Sequence, residues 1–182
     1  MNMIRQAHMA DVDSTAACYD AVLTWEEAHG SFSGWRRGIY PVRATAERAA
    51  REGTLYVEES EGLVKGTIIL NHMAPSEYSG VPWNFQASPG ETLIGHTLCV
   101  LPGAAGQGIG ASLLRFAERF GASHGAEVFR FDTWAGNTRA QALYQRLGFV
   151  SPGRGMALFQ GRWETELVYF EKKLVPCKDK DV

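Results

Sequence analysis

Cysteine is scarce in this chain of 182 residues: there are three, Cys18, Cys99 and Cys177. Their number is odd and their spacings are wide. No Cys-x-x-Cys or Cys/His pattern of the zinc-binding kind is present. The expectation is reduced thiols in a cytoplasmic protein, with no metal. A surplus of one charge is also missing. Eighteen Lys and Arg stand beside twenty Asp and Glu, a formal net charge of −2. That leaves no clustered basic footprint for nucleic acid. The one local run, Lys172 and Lys173 with the Lys178–Asp181 tail, reads as a solvated end. Long apolar runs are absent too: no stretch approaches 18 apolar residues, and Met1–Ala10 lacks the apolar heart of a signal peptide. A soluble protein with no membrane partner is expected.

What is present suits one ordinary domain over residues 1–182. With 45% hydrophobic and 21% charged residues, the chain can bury a full core without staples. The pattern predicts a strand at Met3–Ala7, then a helix capped by Asp11 or Asp13 and running to about His29. A Gly/Ser loop follows to Tyr40. A second helix after Pro41 ends near Glu52, before Gly53. Strands at Thr54–Glu59 and Gly66–Asn71 read as a hairpin with a medium loop over Ser60–Lys65. His72–Gly90 is a long loop of the kind that is usually functional. Thr92–Leu101 is a strand and Gly108–His124 an amphipathic helix. Val128–Trp134, Thr138–Leu147, Phe149–Leu158 and Trp163–Lys173 complete the order as strand, helix, strand, strand. The strand–turn–helix–strand centre is a βαβ unit, so its two strands should be parallel. The rest should pair antiparallel. The fold class is therefore mixed α/β: a mostly antiparallel sheet of about six to seven strands, with helices on both faces.

One stretch carries chemistry. Leu98-Cys-Val-Leu-Pro-Gly-Ala-Ala-Gly-Gln-Gly-Ile-Gly-Ala111 runs from a strand through a glycine turn into a helix. Glycines admit φ > 0 and close backbone approach. The first helical turn offers unpaired N–H groups and partial positive charge. Together these can hold a pyrophosphate by main chain alone. The same glycines could serve only to reverse the chain. A Rossmann site fits less well, because its G-x-G-x-x-G spacing and its place after the first strand are both missing. No P-loop Lys-Ser/Thr follows either.

Here the sequence resembles the GNAT superfamily of N-acetyltransferases. Ala105-Gly-Gln-Gly-Ile-Gly110 is similar to that family's Arg/Gln-x-x-Gly-x-Gly/Ala signature, with Ala105 in place of the usual Arg or Gln. Asn137-Thr-Arg-Ala-Gln-Ala-Leu-Tyr-Gln-Arg-Leu-Gly-Phe149 looks like its second, Asn-x-x-Ala-x-x-Leu-Tyr-x-x-x-Gly-Phe. The resemblance implies an acetyltransferase that uses acetyl-CoA as cosubstrate. It implies that the segment of Ala105, Gly106, Gln107, Gly108, Ile109, Gly110 and Ala111 holds the pyrophosphate. The main chain of Leu98 and Val100 would pair with the pantetheine arm and polarise the thioester carbonyl. Asn137 would bond the pantetheine, or else serve as a helix N-cap. Tyr144 would protonate the leaving thiolate, or else pack in the core.

The general base is open. His96 lies two and four residues before Leu98 and Val100, so it shares their strand face, and imidazole suits neutral pH. Glu91 is the second candidate and His72 a weaker third. Asp132 and Arg130 share a strand face and read as an ion pair or as solvated groups. Cys99 reads as a small core residue. The acceptor should be read by Phe32, Trp35, Tyr40, Tyr78, Trp83 and Phe85 in the two loops, with Arg36 and Arg37 suited to a carboxylate. The expected partner is a small-molecule primary amine, with a homodimer left open. A protein N-terminal or lysine acetyltransferase, and a non-catalytic acyl-CoA-binding module, stand as alternatives.

Overall fold

The computed structural model describes residues 3–175. Cys177 and the Lys178–Asp181 tail lie outside the described residues, as do Met1 and Asn2. The elements are β1 (Met3–Gln6), α1 (Val12–His29), α2 (Arg43–Arg51), β2 (Leu55–Ser60), β3 (Leu63–Asn71), β4 (Thr92–Val100), α3 (Ile109–Ser123), β5 (Val128–Trp134), α4 (Thr138–Arg146), β6 (Val150–Phe159) and β7 (Trp163–Lys173). They form a mixed α/β fold with a seven-stranded sheet in the order β1-β2-β3-β4-β5-β7-β6. The expected parallel pair is β4 with β5, in register over Thr92–Ile94 and Val128–Arg130. β1 with β2, β2 with β3, β5 with β7, and β6 with β7 run antiparallel. The chain groups into two compact units. One holds the residues up to Leu70 with His96–Leu114; the other holds Asn71–Gly95 with the residues from Arg115 onward.

In the first unit, Ala46 and Ala49 of α2 and Cys18 and Tyr19 of α1 bury against Leu55, Val57, Val64 and Cys99. Small residues on α2 let the helix lie close, and the apolar area removed from water drives the contact. The β2–β3 connection is tighter than the sequence suggests. Only Glu61 and Gly62 separate the strands, with φ of 57° and 75°. Two successive positive φ values match the twist of a two-residue hairpin, which explains glycine at the second position. Gly66 on β3 has a further role. A side chain there would meet Ile109 Cγ2 at 2.6 Å and the Cys99 carbonyl at 3.1 Å. Its absence lets the first turn of α3 settle directly on the strand, which fixes where that helix begins.

In the second unit, Phe129, Phe131, Tyr144, Phe149 and Phe170 form one aromatic core, with ring centroids 4.5–6.5 Å apart. Gly95 leaves room for it, since a Cβ there would lie 2.9 Å from the Phe129 ring. A buried charge ties the long loop down. Glu171 on β7 is fully buried. It accepts hydrogen bonds from Asn84 N at 2.5 Å, Asn84 Nδ2 at 2.9 Å and Phe85 N at 3.4 Å. Arg130 lies 3.6 Å from its carboxylate, donates to the Phe85 carbonyl and stacks 4.3 Å from the Trp83 ring centroid. Glu171→Ala would leave Arg130 without its counter-charge and two loop amides without their acceptor. We expect a loss of about 3–5 kcal/mol. In a domain of this size that is roughly a 6–20 °C fall in the thermal midpoint, readable by calorimetry.

Candidate active site

β4 ends at Val100, and a short helical turn at Pro102–Ala104 follows. The turn is pinned by Leu101 N donating to the Lys65 carbonyl at 2.8 Å and Ala104 N to the Leu101 carbonyl at 2.8 Å. Gly106 and Gly108 then take φ of 79° and 84°. This is the left-handed region that costs other residues about 1–2 kcal/mol. Both face open space, with nothing within 4 Å of where a Cβ would stand. α3 starts at Ile109, whose side chain is buried. Gln107 N donates to the Ala104 carbonyl at 3.3 Å, and Ser112 N to the Gly108 carbonyl at 2.9 Å. Among the described residues the amides of Gly106, Gly108, Ile109, Gly110 and Ala111 have no protein acceptor. Free N–H groups at the start of a 15-residue helix make an anion cradle. Ala105 is exposed and donates only its backbone N–H, to the Pro102 carbonyl at 3.1 Å. The cradle therefore owes nothing to its side chain.

β4 itself is distorted. Thr97 has φ of 50°, an outlier for a β-branched residue. Its hydroxyl bonds the Tyr40 hydroxyl, which holds the kink. Thr97 and Cys99 are buried, whereas His96, Leu98 and Val100 keep part of their surface exposed. Cys99 Sγ lies 3.6 Å from Cys18 Sγ. That contact and burial push the Cys99 thiol up, away from thiolate. It is a packing residue.

Glu91 closes the short turn at Pro89–Glu91. Its carboxylate accepts from Ser88 N at 2.9 Å and Ser88 Oγ at 2.7 Å, and those donors hold its pKa below the usual range. A carboxylate committed to a cap in this way is a weak proton acceptor. His72 Nδ1 lies 2.8 Å from the Thr92 carbonyl. Asn137 is an N-cap: its Oδ1 accepts from Ala140 N at 3.2 Å, and its Nδ2 donates to Thr133 Oγ1 at 3.1 Å. Tyr144 is buried, its ring 4.5 Å from Phe131 and 5.1 Å from Phe170. Its hydroxyl has no hydrogen-bond partner among the described residues. Burial, with a smaller contribution from the Asp132 charge, pushes its pKa up. The phenol therefore stays protonated across the neutral range.

The loop rings are less available than their position in sequence suggests. Trp35 packs edge-on to Tyr19 and Tyr40, at 6.4 and 6.2 Å. Tyr78 and Trp83 join Ile94, Leu167 and Tyr169 in a buried cluster. Arg37 is taken up on α1 by Asp20, Glu27 and Thr24. Arg130 and Asp132 do not pair: Arg130 serves Glu171, and Asp132 Oδ2 accepts from the Tyr78 hydroxyl at 2.7 Å. Burial raises the Asp132 carboxyl to about 6, the Tyr78 hydrogen bond opposes the rise, and the Glu77 charge adds to it. The folded chain thus holds this proton more tightly than the unfolded chain does. The group's contribution to stability is full below the ordinary value of 3.8 and is lost as pH rises through about 6. Sequence reading missed this pair, because Tyr78 and Asp132 lie 54 residues apart. The one available signal was an acid on the same face of β5 as Arg130.

Among the described residues no group of three His, Cys, Asp or Glu side chains could hold a metal ion. No described helix is long and apolar enough to cross a membrane.

A turn of unpaired amides between strand and helix, in a seven-stranded mixed sheet, is the arrangement of an α/β protein suited to an anion. The family model described as acetyltransferase (GNAT) family matches residues 19–149, and the chain belongs to that family of acetyl-CoA-dependent acyltransferases. No curated protein sequence matches it. Among solved structures, a GNAT-family acetyltransferase of Streptococcus agalactiae 2603 is similar with a TM-score of 0.79 at 18% identity, over 96% of each chain. The yncA protein of Salmonella typhimurium, solved with its cofactor acetyl-CoA, gives 0.68 at 20% identity, over 100% of this chain and 98% of that one. At such identities the likeness concerns the fold. A ribosomal-protein-alanine N-acetyltransferase of Brucella melitensis gives 0.67 at 26% identity, over 94% and 99%.

Proposed function

We propose that the chain is a single-domain N-acetyltransferase that moves the acetyl group of acetyl-CoA to a primary amine by direct attack in a ternary complex. The observation that carries the reading is the set of amides at Gly106, Gly108, Ile109, Gly110 and Ala111 that have no protein acceptor among the described residues. Two glycines hold that row at positive φ and leave open space in front of it. This donor set fits a diphosphate, whose negative oxygens need several fixed N–H groups and no side chain. Acetyl-CoA supplies an activated acyl carbon and a thiolate leaving group.

The chain's own residues do the rest. The amides of the cradle hold the phosphates. The main chain of Leu98 and Val100 takes the pantetheine arm, beside the kink at Thr97. Strain of this kind at a β-branched residue persists where the surrounding structure enforces it. Tyr144, protonated and without an internal partner, gives its proton to the thiolate. His96, partly exposed on the same strand, is the candidate for the group that takes the amine's proton.

The acceptor in this reading is a small-molecule amine, and the setting is the cytoplasm. A second reading, transfer to a protein N-terminal amine, is favoured by the 26% identity to the Brucella enzyme. The test is thiol release from acetyl-CoA across a panel of small amines, amino acids and a peptide with N-terminal alanine. Turnover with at least one amine is expected. CoA binding without turnover on any acceptor would make the chain a binding module instead.

A further inference from the structure

We infer that Tyr40 is a positioning residue for the thioester: its hydroxyl holds Thr97 in the kink that sets the direction of the Leu98 N–H. The inference rests on the acetyltransferase reading above, in which the main chain of Leu98 polarises the acyl carbonyl. The loop between α1 and α2 is then a brace for β4, where the sequence suggests a loop that reads the acceptor.

Thr97 is the only β-branched residue with positive φ among the described residues. It lies inside β4, where extended backbone is the rule. Rotation about its N–Cα bond turns everything that follows. Its φ of 50° therefore helps to fix where the Thr97–Leu98 peptide points. A β-branched residue keeps such a conformation only where its surroundings enforce it. Thr97 is buried, and its hydroxyl shares a hydrogen bond with the Tyr40 hydroxyl. A buried hydroxyl left without a partner is destabilising, so the bond and the kink stand together.

Tyr40 is itself held. Arg36 N donates to the Tyr40 carbonyl at 3.1 Å, and Tyr40 N donates to the Arg36 carbonyl at 3.0 Å. The Tyr40 ring meets Trp35 edge-on at 6.2 Å, and Trp35 meets Tyr19 of α1 at 6.4 Å. Trp35 N donates to Ser33 Oγ at 3.1 Å. Ser33 in turn gives its N–H and its hydroxyl to the Glu26 carboxylate, each at 2.9 Å. Glu26 is buried on α1, and a buried carboxylate is stable only with such donors. A chain of contacts thus runs from α1 to the middle of β4. Glu26, Ser33, Trp35, Tyr40, Thr97 and Leu98 all belong to the first compact unit. The alignment of the Leu98 peptide therefore needs nothing outside that unit. An N–H that stabilises developing charge works best when it is aimed before the carbonyl arrives. Tyr40 can do this without touching the substrate.

The experiment reads the acyl group itself. It follows the infrared C=O stretch of acetyl-CoA, isotope-labelled at the thioester carbonyl and bound to the full chain. It also measures kcat and KM with an acceptor found in the amine panel. In the unaltered protein the stretch should lie below that of free acetyl-CoA, because an aligned N–H weakens the C=O bond. Tyr40→Phe should return it toward the free value and lower kcat about 10- to 100-fold, with CoA affinity within about twofold. Thr97→Val keeps the branched Cβ and loses the hydroxyl, so it should match Tyr40→Phe. Thr97→Gly loses the hydroxyl too, yet glycine takes positive φ readily. It should recover at least about fivefold of the rate that Thr97→Val loses. Tyr40→Phe added to Thr97→Gly should then cause no further loss beyond about twofold.

A merely structural brace would lower the thermal midpoint and leave the stretch in place in every folded variant, and that result overturns the inference. A raised acceptor KM in Tyr40→Phe with an unchanged stretch also overturns it, and makes Tyr40 a reader of the acceptor. Equal losses in Thr97→Gly and Thr97→Val overturn it as well, since the hydroxyl and not the kink would then matter. If Tyr40→Phe fails to fold, the comparison of Thr97→Val with Thr97→Gly decides. Acetyl-CoA that does not bind the unaltered protein overturns the acetyltransferase reading, and this inference with it. Binding and turnover that all the variants leave unchanged overturn this inference alone.

Discussion

Gly108→Ala should weaken CoA binding by about 10- to 100-fold in calorimetry. The glycine sits at φ of 84° with nothing within 4 Å of a notional Cβ. The substitution therefore creates no clash inside the protein. A methyl group disfavours that conformation by about 1–2 kcal/mol. The chain either keeps the turn under strain or relaxes it and swings the amides away from the ligand. A hydrogen bond to a charged group contributes about 1.5–3 kcal/mol, and each 1.4 kcal/mol is about tenfold in affinity. Losing one such bond gives about the stated range. The methyl group would also occupy space that the cradle leaves for phosphate. The thermal midpoint should move only a few degrees, which separates lost binding from lost fold. A dissociation constant within twofold of the starting value would mean that these amides do not hold the diphosphate.

The second large effect is expected at Tyr144. Tyr144→Phe removes one oxygen and keeps the ring that packs 4.5 Å from Phe131 and 5.1 Å from Phe170. Because the hydroxyl has no internal partner among the described residues, its deletion should cost the fold little. If it protonates the thiolate, kcat should fall about 100- to 1000-fold with CoA affinity unchanged. The direction in which burial moves its pKa adds a second check. Burial keeps the phenol protonated well past neutrality. Loss of this acid should therefore produce no falling limb in the unaltered protein between about pH 6 and 9. A rate equal to the starting protein would return Tyr144 to the aromatic core as a packing residue.

Much of the fold is legible in the amino-acid order. The succession of elements is the one that periodicity and glycine punctuation indicate, and the glycine turn lies between β4 and α3 as the sequence places it. Such features are local. A turn needs φ > 0, a helix needs a cap, and both requirements are written in consecutive residues. Even here locality has limits. The β2–β3 loop shrinks to Glu61 and Gly62 because pairing extends as far as cross-strand contacts allow. Asn137, matched by motif, is bound up in capping α4. Glu91, chosen for its place at a strand's start, caps a turn instead.

The amino-acid order alone determined the family and the glycine turn at the start of α3, because main-chain donors at a glycine-rich helix start depend on few other residues. The tertiary structure alone decided which acid holds its proton most tightly. Asp132 acquires its character from Tyr78, 54 residues away, and from burial on β5 beside β7. Desolvation and hydrogen bonding across the fold set a proton's affinity, and neither is visible along a chain.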